Sequence, residues 1–543
     1  MSVIGLLRAN SKADPTKLLG MAALSGIASA AILVVINNAA SEVEAGKPTT
    51  ALFFLFMGAI LVFVIAQRFV LLTSVREVEQ IIHMIRLRLF EKSVNSDLPV
   101  LEDVGRSAIF SAISKETQSI SQAINVLVMG GQSAILLVFS TIYLALLSLP
   151  ALIIGIAFTG LAMIVLLRKN RQIIDGLLKA SVQEAELFGV LDTMLTGFKE
   201  IKMNSGRATD LLEDFRSRSE TAVATRIEAR AHLSDGATLS QALIFVLIGV
   251  LVFVVPVLVP SFAPNVVKTA TAVLFMVGPL TNLVNAVPLY NIANASAKTI
   301  ERIDTALGQN SEKSGPLPRQ PHKTFYSISL NNVGFRHAER GREAFEIGPI
   351  DFQVKAGETI FITGGNGSGK TTFVQLLIGL RKPMTGSIYV DGRVIDEDAQ
   401  QDYRDLFSVV FSDCQLFKRL YGIQHPDPTF IDHWLRLLEM SDKTSISENS
   451  FSTVDLSTGQ RKRIALLVAL LEDRPIVVLD EWAADQDPQF RRKFYRELLA
   501  DLKKLGKTVI AITHDDRYFD AADRCVRMEY GKLIASGENV HNE

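Results

Sequence analysis

The stretch Gly364-Gly365-Asn366-Gly367-Ser368-Gly369-Lys370-Thr371-Thr372 decides the fold of the C-terminal part of this 543-residue chain. It fits the pattern G-x-x-x-x-G-K-[ST], with a strand-like run, 359–363, before it and a helix-like run, 372–377, after the lysine. Glycines let backbone N–H groups converge on phosphate oxygens, and a helix N-terminus adds partial positive charge. The alternative is a glycine-rich turn without a ligand. With the lysine and the flanks in place, the pattern predicts a nucleotide loop in which Lys370 contacts the β- and γ-phosphates and the Thr371 hydroxyl binds Mg²⁺.

A second motif is the apolar run 476–479 followed by Asp480 and Glu481. It is typical of a buried strand that presents acids at its C-terminal end. Taken alone, it also fits a core strand that merely ends in exposed acids. Beside a phosphate loop it predicts that Asp480 holds Mg²⁺, directly or through water, and that Glu481 orients and polarises the attacking water.

A third motif, Leu456-Ser457-Thr458-Gly459-Gln460, precedes a basic triplet and the helix-like run 464–471. Taken alone, it fits an ordinary helix start with Ser457 as the N-cap. Its place shortly before Asp480 favours a functional interpretation.

The composition of the whole chain excludes some classes of protein and indicates membrane segments. The net charge is −1, with 56 Lys and Arg against 57 Asp and Glu, which excludes a basic nucleic-acid-binding protein; no nucleic-acid partner is expected. The mean hydropathy of +0.26 indicates membrane segments. Two cysteines are too few for a disulfide scaffold or a Cys-rich metal site.

Charge-free apolar runs long enough to cross about 30 Å of hydrocarbon predict a six-helix α-helical transmembrane domain at 1–307. The first run is expected to be an uncleaved anchor, because it is too long for a signal peptide and five more follow. Helical patterns in 73–123 and 169–236 predict that the spans continue as long helices below the membrane. A linker rich in Gly, Ser and Pro, 308–324, leads to an α/β domain, 325–543. The predicted spans are 18–38, 50–72, 124–145, 149–168, 237–258 and 267–290.

The positions of Lys and Arg predict the orientation. The short connections 39–49, 146–150 and 259–266 carry Lys47 as their only basic residue, whereas 73–123 and 169–236 are rich in both types. Because basic residues stay on the cytoplasmic side, both long segments and both termini are expected there.

Together the three motifs resemble those of the ATP-binding cassette (ABC) transporter family, in which L-S-G-G-Q precedes the second acidic motif in this way. The resemblance covers the whole chain and implies an exporter-type half-transporter that uses ATP and Mg²⁺. It implies that 484–487 is the loop that couples two sites, and that His514 contacts the γ-phosphate. In that family two cassettes meet head to tail, with each ATP between the lysine loop of one copy and the signature of the other. A chain with one cassette is then expected to form a homodimer.

A narrower resemblance, to bacterial exporters of cyclic peptides and peptide siderophores of the syringomycin and pyroverdine type, rests on two stretches. One is the loop with Gly365 in second place. The other is 479–488, where Trp482-Ala483-Ala484 stands in place of the Thr-Ser type stretch of most ABC exporters.

The chain departs from the family pattern at several positions. The family has a glutamine between the lysine loop and the signature, and this chain has Ser412 at about that position. Asp413 and Gln415 are alternatives for the role of that glutamine. The aromatic residue that stacks on adenine falls near His337. Thr458 replaces a glycine of the signature.

In the membrane half, Arg68 is a charge within a span, which indicates a functional residue, although its place near the cytoplasmic end also allows it to snorkel. Asn282 and Asn285 share a helix face and either line a polar cavity or hydrogen-bond neighbouring helices. By resemblance, short helices that press on the cassette are expected at 99–105 and roughly 182–191.

These observations predict ATP-driven export of a small peptide-like substrate across the bacterial inner membrane, by a multi-pass protein surrounded by membrane lipid. Flipping of a lipid or lipid-linked molecule is the alternative. A degenerate ABC channel or regulator without turnover is a third possibility, against which the intact Lys370, Asp480, Glu481 and His514 argue.

Overall fold

The computed structural model describes residue 5 and residues 15–308, 324–337 and 345–535. The chain divides into two compact units, one of residues 1–94 and 104–309 and the other of residues 95–103 and 310–543. Most of the predicted linker, 308–324, lies outside the described residues.

The first unit is helical. Residues 15–308 form six long helices, which are joined by short turns and by two short helices, α3 (Leu98–Val104) and α6 (Phe198–Lys202). The long helices are α1 (Pro15–Glu44), α2 (Thr50–Val94), α4 (Arg106–Leu147), α5 (Leu149–Thr196), α7 (Ser205–Leu258) and α8 (Val266–Gly308).

Helices α4 and α8 pack closely because a glycine lies at their contact. A Cβ atom on Gly130 would lie 2.8 Å from the Cβ of Ala286, too close for two methyl groups. A second glycine, Gly131, has open space around it. Pro279 and Pro288 both lie inside α8, which continues past them.

Among the described residues, five helices are long and apolar enough to cross a membrane, namely those at Gly20–Glu44, Thr50–Val94, Arg106–Leu147, Ser205–Leu258 and Val266–Gly308. The predicted span 149–168 falls at the start of α5, of which Leu149–Phe158 qualifies as a shorter apolar helix. A helical N-terminal domain with apolar helices is thus confirmed.

Of the two short helices that were expected, the structure contains the first and not the second. A seven-residue helix, α3 (Leu98–Val104), lies where the first was expected. The second expectation is wrong, because residues 182–191 continue the long helix α5, which ends only at Gly197. The short helix α6 follows that glycine, and the next begins at Asn204, whose side chain accepts hydrogen bonds from the N–H groups of Gly206 and Arg207.

Residues 95–103 belong to the second unit. Arg381, which is almost fully buried, donates to both carboxylate oxygens of Glu102 at 2.8 and 3.0 Å, and Lys382 pairs with Asp97 at 3.5 Å.

The second unit is an α/β domain with mixed sheets. Its main sheet has the strand order β12-β11-β3-β10-β9-β6, in which β11, β3, β10, β9 and β6 run parallel. A second, antiparallel sheet has the order β2-β1-β4-β5. The strands are β1 (Ser327–His337), β2 (Phe345–Lys355), β3 (Thr359–Thr363), β4 (Thr385–Val390), β5 (Arg393–Val394), β6 (Phe407–Val410), β7 (Ile446–Ser447), β8 (Ser450–Phe451), β9 (Ile476–Asp480), β10 (Thr508–Ile512), β11 (Arg524–Glu529) and β12 (Lys532–Ala535).

Every residue of β3, β9 and β10 is buried, as expected for central parallel strands covered on both faces. Helices α9 (Lys370–Leu377) and α12 (Thr458–Leu471) contribute side chains to the two hydrophobic clusters of this unit. Between them along the chain lie α10 (Gln400–Arg404) and α11 (Pro428–Leu437); a last helical segment runs through Pro488–Lys493, Phe494–Leu498 and Leu499–Lys504. The carboxyl ends of β3, β9 and β10 meet at one edge of the sheet, where ligands bind in open α/β folds.

Candidate nucleotide-binding site

The predicted phosphate loop connects β3 to α9 and depends on glycine backbones. Gly364 has a φ of 145° and its α-carbon faces the carbonyl oxygen of Met528 so closely that no side chain fits. Gly369, at the N-cap of α9, has a φ of 99°. Both conformations favour glycine, so the sequence pattern has a steric cause.

The lysine of the loop turns back onto the loop. Lys370 is 6% exposed, and its Nζ donates to the carbonyl oxygens of Gly364 at 3.0 Å and Gly365 at 2.9 Å. The Ser368 hydroxyl is buried and has no hydrogen-bond partner among the described residues. The loop thus holds a cation and a free hydroxyl in a concave backbone, an arrangement suited to an anion.

A cavity of about 310 Å³ opens at this loop. It brings the N-terminus of α9 together with Glu481 from the end of β9, two features that lie far apart in the sequence. The lining residues are Phe345, Asn366, Gly367, Gly369, Lys370, Thr371, Thr372 and Glu481.

The first carboxylate, Asp480, lies at the end of β9 and is 2% exposed. Burial raises the pKa of this carboxyl group, and hydrogen bonds from the side chain and backbone of Ser412 oppose the rise. Of the three candidates for the missing glutamine, Ser412 therefore contacts Asp480. Gln415 instead lines a separate cavity of about 370 Å³, and Asp413 is exposed.

The second carboxylate, Glu481, has left-handed backbone angles, φ 49° and ψ 34°. Non-glycine residues rarely adopt this region, and such residues cluster at functional sites. Its Oε1 lies 3.3 Å from Nε2 of His514, which follows β10. The neighbouring parallel strands β9 and β10 therefore bring the predicted water-orienting acid and the predicted switch histidine into contact.

The signature residues form the start of α12. Ser457 is the N-cap, its hydroxyl accepts from the Gln460 N–H at 3.4 Å, and Gln460 Oε1 accepts from the Ser457 N–H at 3.1 Å. This is a capping box. A Cβ on Gly459 would lie 2.6 Å from the carbonyl oxygen of Asp485, so the loop after Glu481 packs directly on the signature glycine. Leu456 is partly buried against the core, and Thr458 is exposed.

The aromatic residue of the cavity is one that the sequence did not single out. The backbone of His337, near which an adenine-stacking residue was predicted, pairs with Phe345 on the adjacent strand β2. Phe345 lines the cavity beside the phosphate loop. The sequence alone does not show that residues 337 and 345 lie side by side on paired strands.

The three membrane candidates are separated. Asn282 lines a cavity of about 250 Å³ that has both polar and apolar side chains in its wall, whereas Asn285 and Arg68 are exposed and are not among its lining residues. Gln67, the neighbour of Arg68, takes part instead, together with Gln132. The helix periodicity of α2, which places adjacent residues on different faces, explains the difference.

Comparisons with known proteins agree with this fold. An ABC transporter family profile matches residues 347–484. The chain is 32% identical over 531 residues to the ATP-binding protein SyrD of Pseudomonas syringae pv. syringae, covering 94% of this chain and 92% of that protein. It is 25% identical over 485 residues to the ATP-dependent lipid A-core flippase of Burkholderia pseudomallei (strain K96243), covering 84% of this chain and 78% of the flippase.

Among solved structures, a bacterial Atm1-family ABC exporter with ATP bound matches with a TM-score of 0.76 and 18% identity. The match covers 95% of this chain and 93% of the exporter, and at this identity it concerns the fold.

The chain therefore belongs to the ABC transporter family. It is an exporter-type, multi-pass membrane protein that binds nucleotide and couples ATP hydrolysis to transport, and the predicted fold class is confirmed.

Proposed function

We propose that two copies of this chain form a homodimeric exporter that moves a compact amphiphilic peptide, cyclic or siderophore-like, across the bacterial inner membrane. ATP binding closes the two cassettes and hydrolysis resets them. The observation that carries the ATP-driven part is the cavity shared by Lys370, Thr371 and Glu481 at the carboxyl edge of the sheet.

Within that site each residue has a distinct role. Lys370 and the loop N–H groups bind the β- and γ-phosphates, and Glu481 orients the attacking water. His514 contacts the γ-phosphate from its position beside Glu481. Phe345 is the better candidate than His337 for stacking on adenine, because its side chain lines the cavity.

The residues also fit Mg²⁺. Asp480 is a buried carboxylate whose pKa is raised by the cost of burying a negative charge, a cost that a cation would relieve. The described residues contain no cluster of three His, Cys, Asp or Glu side chains that could hold a metal unaided. Hard oxygen ligands from Thr371, Asp480 and the nucleotide phosphates suit this ion, which would neutralise charge on the transferred phosphoryl group.

The dimer follows from the signature. Ser457, Gly459 and Gln460 form a helix N-terminus that, in the family, faces the nucleotide of the other copy. One chain supplies one lysine loop and one signature, so two identical copies complete two equivalent sites with C2 symmetry.

The proposal of a peptide cargo is supported by a set of hydrogen-bonded amide and hydroxyl side chains in the membrane domain. Ser25 donates to Gln67 at 2.9 Å, Gln67 donates to Gln132 at 3.1 Å, and Asn282 donates to Ser133 at 3.3 Å. The Nε2 of Gln132 is buried and has no hydrogen-bond partner among the described residues. Groups that both donate and accept suit peptide amides better than a highly charged solute.

The alignment with SyrD spans 531 residues at 32% identity, which is longer and higher in identity than the 485 residues at 25% shared with the Burkholderia pseudomallei flippase. This alignment supports the narrower resemblance of the cassette motifs to exporters of cyclic peptides and peptide siderophores, for which a peptide cargo is expected.

The alternative, lipid flipping, has its own observation. A second membrane-domain cavity of about 340 Å³ is lined almost wholly by apolar side chains, which would accept an acyl chain or the apolar side chains of a peptide. Its lining includes Leu137, Leu144, Leu152, Ile156, Leu247 and Leu280.

The experiment that separates the two is stimulation of ATPase activity in nanodiscs. We expect cyclic peptides or peptide siderophores to raise the ATPase rate of the wild-type protein and leave the Glu481→Gln variant inactive. Stimulation by lipid-linked molecules, with no response to peptides, would support the flippase instead.

A further inference from the structure

We propose that Lys462, in the second turn of α12, is a positioning residue that holds the backbone of Glu481 in its hydrolytic conformation and is itself held by Asp485. This inference rests on the proposed role of Glu481. It assigns a function to a lysine that follows the signature motif and that no motif of the sequence singled out.

The contacts of Lys462 are short and enclosed. The side chain is 2% exposed, and its Nζ donates to the carbonyl oxygen of Glu481 at 2.9 Å. The same Nζ forms an ion pair with Oδ2 of Asp485 at 2.6 Å. A buried ammonium group needs such partners, because burying an unpaired charge is costly.

The carbonyl that Lys462 contacts belongs to the strained residue. Left-handed angles at Glu481 persist only where surrounding contacts enforce them. The Glu481 N–H donates to Ile512 at 3.2 Å, and its carbonyl also accepts from the Ala484 N–H at 3.3 Å. Lys462 supplies a charged hydrogen bond at this carbonyl, and charged hydrogen bonds are stronger than neutral ones.

A second hydrogen bond runs in the opposite direction between the same two elements. The indole Nε1 of Trp482 donates to the carbonyl oxygen of Lys462 at 2.7 Å. Trp482 is buried against Phe494, with ring centroids 4.6 Å apart, so it is fixed in place. Lys462, in the second turn of α12, and the residues 481–482 are therefore joined by hydrogen bonds in both directions.

This arrangement links catalysis to the signature. A carboxylate that orients water must be placed accurately, and a displacement of about 1 Å can cost about 10²-fold in rate. Because Lys462 lies just after Gln460, any movement of the signature turn reaches the backbone of Glu481 through one hydrogen bond. In the proposed dimer the signature and Glu481 serve opposite ATP molecules, so Lys462 lies between the two sites.

The test uses Lys462→Met in the full-length protein in nanodiscs, with Lys507→Met as the matched control. Lys507 is 9% exposed and pairs with Asp473 at 2.8 Å, at the other end of α12 and away from Glu481. Both variants remove one buried lysine and leave one accessible aspartate. We expect both to lower the Tm by a similar amount, and only Lys462→Met to lower kcat, by about tenfold or more, with KM for ATP unchanged.

Combination with Glu481→Gln distinguishes positioning from a general loss of structure. If Lys462 acts through the carboxylate, Lys462→Met lowers the single-turnover rate in the wild-type background and has little further effect in the Glu481→Gln background. The same factor of loss in both backgrounds would overturn the proposal, as would an unchanged kcat. A Glu481→Gln variant with near-normal activity would instead refute the proposed function.

Two further variants keep the proposal testable should Lys462→Met fail to fold. Lys462→Gln retains an N–H donor and is expected to recover part of kcat. Asp485→Asn is expected to lower kcat by less than Lys462→Met. A kcat equal to that of the wild type in both variants would contradict the proposed role.

Discussion

Glu481 combines a left-handed backbone, a histidine neighbour at 3.3 Å and a place in the cavity of the phosphate loop. Asp480 next to it is buried and contacts Ser412. Two adjacent acids thus occupy different environments: Asp480 is buried, whereas Glu481 is partly exposed and lines the cavity of the phosphate loop. This difference is consistent with the proposed roles, in which Asp480 is the metal ligand and Glu481 orients water.

We predict that Glu481→Gln keeps ATP binding and loses most turnover, because an amide cannot serve as a base. The loss of such a base typically lowers the rate by about 10²–10⁴-fold. Phosphate release and binding of a fluorescent ATP analogue check the two parts of this prediction. Near-normal ATPase activity in the purified variant would refute the assignment.

Lys370→Ala is expected to act on binding instead. The Nζ of Lys370 is held by two loop carbonyls, so it is already placed for phosphates. Its loss removes a buried positive charge from the anion site, and the Kd for ATP should rise. An unchanged ATP affinity, measured by calorimetry, would count against the phosphate-binding role.

At the scale of single residues, the phosphate loop and the two acids, Asp480 and Glu481, could be identified from the sequence because a short motif encodes each of them. Lys462 and Phe345 were missed because the roles proposed for them depend on contacts between segments far apart in the chain. A basic residue directly after the signature was visible, but nothing local indicates that its side chain turns inward.

The helices of the first unit meet through small residues. Gly130 lies where α4 and α8 approach each other, and Gly131 lies beside open space. The contrast between these neighbours shows that packing between the two helices, and not helix propensity, requires the first glycine.

We predict that Gly130→Ala destabilises the membrane domain, because the new methyl group would lie 2.8 Å from the Cβ of Ala286. Overpacking of this kind typically costs about 1–3 kcal/mol. The control Gly131→Ala should have the wild-type Tm or a higher one, since alanine favours a helix over glycine. Equal Tm values for the two variants in detergent would contradict the described packing of α4 on α8.

The element boundaries show where sequence reasoning succeeded and failed. Long helices followed from apolar runs and helical periodicity. The short helix expected near 182–191 was misplaced because the expectation relied on family position. Two local signals mark the true boundary: a glycine at 197 ends α5, and Asn204 caps α7.

At the scale of the whole molecule, the topology is the main prediction that the charge pattern makes. Glu44 ends α1 and is expected outside the cell, whereas Asp210, in α7, is expected in the cytoplasm. The outward position of Glu44 and the inward position of Asp210 are both required for export.

Cysteine labelling of intact cells checks this topology. We expect an impermeant maleimide to modify Glu44→Cys and to spare Asp210→Cys until the cells are opened. The native Cys414 and Cys525 are half-buried, and burial raises the pKa of both thiols, so they react slowly; replacing both by serine removes them as background. The reverse labelling pattern would overturn both the orientation and the export function.

The central claim, ATP-driven export of a peptide-like cargo, is tested most directly by uptake into inverted membrane vesicles. We predict that vesicles with the wild-type protein accumulate a labelled cyclic peptide or peptide siderophore when ATP and Mg²⁺ are present, and that Glu481→Gln vesicles do not. The same vesicles should leave a labelled lipid on its original leaflet. If no such peptide is accumulated while the labelled lipid is flipped in an ATP-dependent way, the peptide-export account is wrong and the protein is a flippase.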